Sequence, residues 1–196
     1  MTRTITRLYD NRSDALEAAH ELERMGIDDD DVSIIASNKD RWYDSKGNMS
    51  AADDDDGSKA ARGAGKGAAT GGVLGAGAGL LAGLGLLAIP GIGEVVAAGW
   101  LASTLTGAAA GAVAGGAVGG LVGALTEAGV PEEEAHVYSE GVRRGGTLLT
   151  VRVDEDEVSR VEAALSRYRP TDIRVRGDEY RQSGWTRFDP DRPSQY

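Results

Sequence analysis

Thr147-Leu148-Leu149-Thr150-Val151-Arg152-Val153 alternates, placing Leu149, Val151 and Val153 on one face of a strand. Asp154 or Asp156 can cap the helix that follows, whose Val158, Val161, Ala164, Leu165 and Tyr168 fall on one stripe. Pro170 ends that helix, and Ile173 and Val175 mark a last strand, which makes β-α-β. The opening of the chain repeats the pattern. Thr2 to Tyr9 (TRTITRLY) reads as a strand, and Asn11 or Ser13 caps a helix carrying Ala15, Ala18, Ala19, Leu22 and Met25. Gly26 stops it, and Val32 to Ala36 (VSIIA) is the next strand. Neither three-element piece buries enough apolar surface to stand alone. Joined, they give an α+β fold of ferredoxin-like type, a split β-α-β sheet with both helices on one face. Whatever leaves after Ala36 must then return to the same sheet before Gly146.

What lies between is compositionally different. Residues 1–62 and 128–196 are rich in charge, whereas 63–127 contain only Lys66, Glu94 and Glu127. Most of the 29 glycines of the 196-residue chain fall in that uncharged centre. They recur at every fourth position, first as Gly63, Gly67, Gly71, Gly75, Gly79 and Gly83, then as Gly107, Gly111, Gly115, Gly119 and Gly123. Each glycine costs a helix roughly 1 kcal/mol relative to alanine, so the spacing needs a compensating gain. Four residues turn a helix through about 400°, and the glycines then trace a smooth groove into which a second helix can settle closely. The expectation is a glycine-rich helical hairpin inserted between strands 2 and 3, turning at Pro90, Gly91, Gly93 and Glu94. A flexible linker is the plain alternative, but the tract carries many Leu, Ile and Val and lacks the Ser, Gln and charge of linkers.

The division expected is 1–36 as the first half-domain, 37–62 as an acidic linker, and 63–127 as the apolar hairpin. Residues 128–176 then supply a helix and the second half-domain, and 177–196 form a disordered tail with sticky aromatics. A 23-residue helix is about 34 Å long, enough for a ~30 Å hydrocarbon core, and two spans return the chain to the side it left. Trp100 then stands where an interfacial aromatic anchors a span, and Lys59, Arg62 and Lys66 precede the first one. With no apolar signal sequence at the start, the expected place is a cytoplasmic domain on the inner face of a plasma membrane. The expected partners are membrane lipid and further copies of the chain. A soluble homo-oligomer with the hairpins as its core is the alternative.

The flanks carry a resemblance. Leu8-Tyr9-Asp10-Asn11-Arg12-Ser13-Asp14-Ala15, the end Leu22-x-x-Met25-Gly26-Ile27, and Asp31-Val32-Ser33-Ile34-Ile35 resemble the bacterial heat-induced, YflT-like general stress protein domain. So does the run from Gly129-Val130-Pro131-Glu132 through Tyr138, Glu140 and Arg143-Arg144-Gly145-Gly146 into the strand 148–153. The resemblance covers about 1–36 and 128–176, and related proteins carry a glycine-rich apolar insertion between the halves. It implies a stress-response role and brings no enzymatic activity or catalytic residues.

Direct signals for chemistry are few. The net charge of −10 argues against nucleic acid, and the absence of cysteine removes disulfides, thiolate nucleophiles and Cys-held metals. Asp53 to Asp56 fail the calcium-loop pattern, since aligning Gly57 as its glycine puts Ala52 at position one and Gly63 at position twelve. Gly63-Ala64-Gly65-Lys66-Gly67 lacks the remaining P-loop residues, and Gly83-x-Gly85-x-x-Ala88 follows no strand. Glu132, His136 and Glu140 share a helix face and could hold a cation, but an exposed helix with dipole-matched charges is the favoured reading. His20 on the first helix has no acid–nucleophile set beside it and reads as structural. The expectation is a non-enzyme with no cofactor, no metal and no catalytic residues. A small-ligand or metal-binding regulatory domain is the less favoured alternative.

Overall fold

The computed structural model describes residues 2–44, 83–111 and 120–191. Mixed α and β elements build one five-stranded antiparallel sheet, β1 (Thr2–Tyr9), β2 (Val32–Ser37), β3 (Gly85–Ile89), β4 (Gly93–Gly99) and β5 (Thr147–Asp154). The spatial order is β1-β5-β2-β4-β3. Register is set by pairs such as Ile5 with Val151, Ile34 with Leu149 and Ala36 with Val96.

The two faces of the sheet carry separate apolar layers, as period-two alternation requires. On one face Ile5, Tyr9, Ile34, Leu149, Val151 and Val153 meet α1 (Arg12–Arg24) and α5 (Val158–Leu165). Ala15, Ala18 and Ala19 of α1 are small enough to bring its backbone close to the strands. The other face, with Leu8, Ile35, Val95, Ala97 and Leu148, lies under α2 (Trp100–Gly111), α3 (Leu121–Glu127), α4 (Glu132–Arg143) and α6 (Ile173–Gln182). The architecture is therefore helix, sheet, helix in three layers.

The inserted tract departs from the expected helical hairpin on both sides of its turn. Residues 85–99 form a β-hairpin. Pro90 and Gly91 hold the centre of its turn, closed by the Ile92 N–H donating to the Ile89 carbonyl at 3.1 Å. Gly91 (φ +76°) takes the left-handed backbone that the third position of such a turn requires, and Gly93 (φ +103°) follows it into β4. The expected turn residues do turn the chain, but between strands. Leu86, Leu87, Val95 and Val96 suit a pleated surface, and β4 satisfies the open edge of β2. Gly83 precedes β3 in an exposed turn rather than lying in a helix groove. Gly107 and Gly111 do fall in a helix, α2, and Gly123 in α3. Both helices lie on the sheet of their own chain through Leu101, Leu105, Leu121 and Leu125. Gly63, Gly67, Gly71, Gly75, Gly79, Gly115 and Gly119 lie outside the described residues, as does most of the acidic linker.

Among the described residues no helix is long and apolar enough to cross a membrane. Trp100 opens α2 and is half-buried. Its indole N–H donates to the Asp31 carbonyl at 3.2 Å, and the Arg152 guanidinium lies 4.7 Å above its ring. The last expected strand is also replaced. Only Thr171 bridges to Leu8, and α6 begins two residues later. Asp172 caps it, its carboxylate accepting from the Arg174 and Val175 amides at 2.9 and 3.3 Å. Ile173, Gly177 and Tyr180 then recur at helical spacing toward the sheet, a pattern that begins with the same residues as a strand. Nor is the tail loose as far as it is described. Trp185 and Phe188 are buried against Tyr180 and α4, so its aromatics dock on their own domain.

Candidate functional site

A cavity of about 190 Å³ opens where β1 and β2 end and β5 begins. Arg12, Ser37, Lys39, Asp40, Arg144, Gly145 and Thr147 line it. Three separate parts of the chain meet here because β5 runs between β1 and β2 in the sheet.

Each basic side chain is held by a specific neighbour. Arg12 opens α1 and stacks over the Trp42 ring at 4.2 Å. Trp42 is itself buried, and its indole donates to the Ser37 carbonyl at 2.8 Å. Asn38, also buried, fixes the turn between them. Its amide nitrogen donates to the Tyr43 carbonyl at 2.9 Å and to the Glu94 carboxylate, and its oxygen accepts from the Tyr43 N–H. Lys39 projects from that turn. Partial burial, and next the charge of Arg143, push its ammonium below the usual lysine value, against the pull of Asp40 and Glu140.

Arg144 comes from the far end of α4. Its Nε donates to Glu140 Oε1 at 2.7 Å, and its guanidinium lies 4.2 Å over the Tyr180 ring. Glu140 is wholly inaccessible to solvent and also pairs with Arg143, which stacks on Phe188. Around the cavity the described residues bring together the cations of Arg12, Lys39, Arg143 and Arg144 and the carboxylates of Asp40 and Glu140. Guanidinium and ammonium groups offer charge-assisted donors, here engaged at least in part by those carboxylates.

The candidates suggested by sequence do not assemble. His136 stands 3.8 Å from Glu132, but Glu140 points inward to two arginines, so the three form no cation site. The helix bearing them is buried at Ala135 and from Val137 through Arg143, while Glu132 and Glu133 at its start are exposed and His136 is half-buried. Asp31 is taken up by Arg152, and Asp53 to Asp56 lie outside the described residues. Among the described residues no cluster of His and carboxylates could hold a metal. The cavity was not legible beforehand. Its residues stand near positions 12, 38 and 145, and no local motif links them. The available hint was that Asn11-Arg12, Asn38-Lys39 and Arg144-Gly145 all fall at strand or helix ends. Compared with protein-family models, curated proteins and solved structures, the chain matches none.

Proposed function

We infer that this chain is a non-enzymatic general stress-response protein that self-associates through its glycine-rich insertion, residues 45–82. The stress role rests on the resemblance of residues 1–36 and 128–176 to the YflT-like domain. The finer fold reading, a ferredoxin-like core, draws support from the order β1-β5-β2 and from α1 and α5 sharing one face. In that reading β3 and β4 extend the sheet, and α6 stands where a fourth core strand is usual.

One observation carries the self-association. The Tyr43 hydroxyl donates to the Leu84 carbonyl at 2.8 Å, so the two ends of 45–82 are tied at one point. A segment that leaves and returns there could span a bilayer only by taking Lys46, Asp53 to Asp56, Lys59 and Arg62 through hydrocarbon, at several kcal/mol each. The described arm of the expected two-span hairpin is meanwhile committed to the sheet. Gly63, Gly67, Gly71, Gly75 and Gly79, at a spacing of four, suit close contact with another protein surface, and a second copy carries the same spacing. The reading is non-catalytic because Glu140, the wholly buried carboxylate near the cavity, is held by two arginines and poorly placed to move a proton.

Size-exclusion chromatography with light scattering in detergent-free buffer tests this. A discrete particle larger than one chain is expected, shrinking when Gly71→Leu, Gly75→Leu and Gly79→Leu are combined. A monodisperse monomer, or an assembly indifferent to those changes, overturns it. Flotation of the intact chain with anionic vesicles would instead favour lipid attachment.

A further inference from the structure

We propose that residues 186–191 form a clasp over the β3–β4 hairpin, so that this part of the tail and the hairpin turn open together while the rest of the sheet stays folded. The clasp belongs to a single chain and does not depend on self-association.

Its root is fixed. α6 ends at Gln182, and the Gly184 and Trp185 amides donate back to the Arg181 and Tyr180 carbonyls at 3.0 and 3.1 Å. That pair of bonds closes a helix end firmly. The Trp185 ring packs edge-on against Tyr180, with centroids 5.7 Å apart. A hinge therefore lies beyond Trp185.

Past the root the tail is held at two places. Phe188 is buried, with the Arg143 guanidinium 5.2 Å from its ring, and Arg143 Nη1 donates to the Asp189 carbonyl at 3.4 Å. Pro190 then lies against Gly91 in the turn between β3 and β4. A Cβ at position 91 would collide with the Pro190 Cα, so the two backbones touch with no side chain between them. Three parts of the chain far apart in sequence thus meet on one short segment.

Little else secures it. Thr186, Arg187 and Asp189 are exposed, and among the described residues no backbone–backbone hydrogen bond ties 186–191 to the domain. A segment held by one ring, one side-chain donor and one backbone touch opens at far lower cost than the sheet does. The turn it rests on ends β3, the outermost strand. Coupling between two sites is reciprocal, so what loosens the turn loosens the clasp, and the reverse. Opening presents the Phe188 ring and uncovers Arg143 beneath it.

The test reads both directions in the full chain. Trypsin reports on the clasp at the Arg187–Phe188 bond, which enters a protease cleft only when Phe188 leaves its seat. Gly91→Ala should speed that cleavage about tenfold. Gly93→Ala is the control, since Gly93 (φ +103°) carries the same kind of backbone strain but a Cβ there meets nothing within 4 Å. Its cleavage should keep the parent rate. Conversely, Phe188→Ala should speed hydrogen exchange of the Ile92 amide, which donates to the Ile89 carbonyl across the turn, by a similar factor. The amides of β5 should stay protected throughout. Equal acceleration in the two glycine variants overturns the proposal, as does an Ile92 amide indifferent to Phe188→Ala, or β5 exchanging faster in step with it. Should Gly91→Ala fail to fold, the Phe188→Ala measurement decides alone.

Discussion

Glu140 sits with no solvent contact between Arg143, itself nearly buried, and Arg144. Burying a carboxylate is tolerable only because two guanidinium groups neutralise and hydrogen-bond it. Glu140→Ala leaves Arg143 buried beside the rings of the tail without its counter-charge. The expected cost is about 3–5 kcal/mol, measurable as a lower urea midpoint. Tyr138, two residues back, gives a pH signature. Burial raises its phenol from 10.0 to about 12, and its hydroxyl donates to the Thr6 carbonyl at 3.0 Å. Because the folded value is the higher one, this stabilisation is complete below the unfolded value and disappears as pH climbs from 10 toward 12. The slope is about 1.4 kcal/mol per pH unit for one proton. Buried Tyr9 shifts in the same direction, so Tyr138→Phe should flatten the alkaline limb of a stability profile without abolishing it. An unchanged limb would mean that Tyr138 is not buried in solution. The ion pairs of Glu140 with Arg143 and Arg144 follow i,i+3 and i,i+4 spacings that the sequence reading passed over, and their burial was beyond its reach. Burial depends on whether something covers the helix, and periodicity in one element cannot report that.

At the scale of elements, legibility followed the range of the forces involved. β1, α1, β2, β5 and α5 emerge where alternation and helical spacing place them, even though β2 and β5 are buried on both faces. The segments around Pro90 and Ile173 were misread because both patterns are ambiguous locally. Leu86 to Ile89 is apolar at every position, so it carries neither period, and the open edge of β2 settles the matter by pairing with β4. Ile173-Arg174-Val175 alternates for only three residues, and the Asp172 cap outweighs it. Asp172→Ala should therefore cost about 1 kcal/mol and loosen α6 first. Hydrogen exchange should register that as faster exchange of the amides of 174–180, with those of α5 unaffected. Uniform acceleration across both helices would mean that α6 does not open on its own. The docking of Trp185 and Phe188 beyond it lay outside any periodic signal, since two aromatics three apart can equally be a loose tail.

For the whole molecule, the question is why a sheet already covered by α1 and α5 carries a second helical layer drawn partly from the insertion. The two-helix reading of the flanks leaves Leu8, Ile35 and Leu148 facing water on the opposite side. Residues 85–127 and the tail cover that face where they are described, and this absorbs apolar sequence that composition alone assigns to lipid. The 38 residues 45–82 lie in the sequence between Tyr43 and Leu84, which a hydrogen bond joins. Closing a loop costs entropy that grows as (3/2)RT ln n, so replacing those residues by about five of Gly and Ser should stabilise the domain by roughly 2 kcal/mol. If that segment carries the self-association, the same shortening should leave a monomer. Together the two outcomes, a higher denaturant midpoint and a smaller particle, separate an appended assembly segment from an integral part of the core. A shortened chain that unfolds more readily, or that remains oligomeric, would place residues 45–82 within the fold and move the self-associating surface onto the described domain, where the uncharged outer edge of β3 is the first place to look.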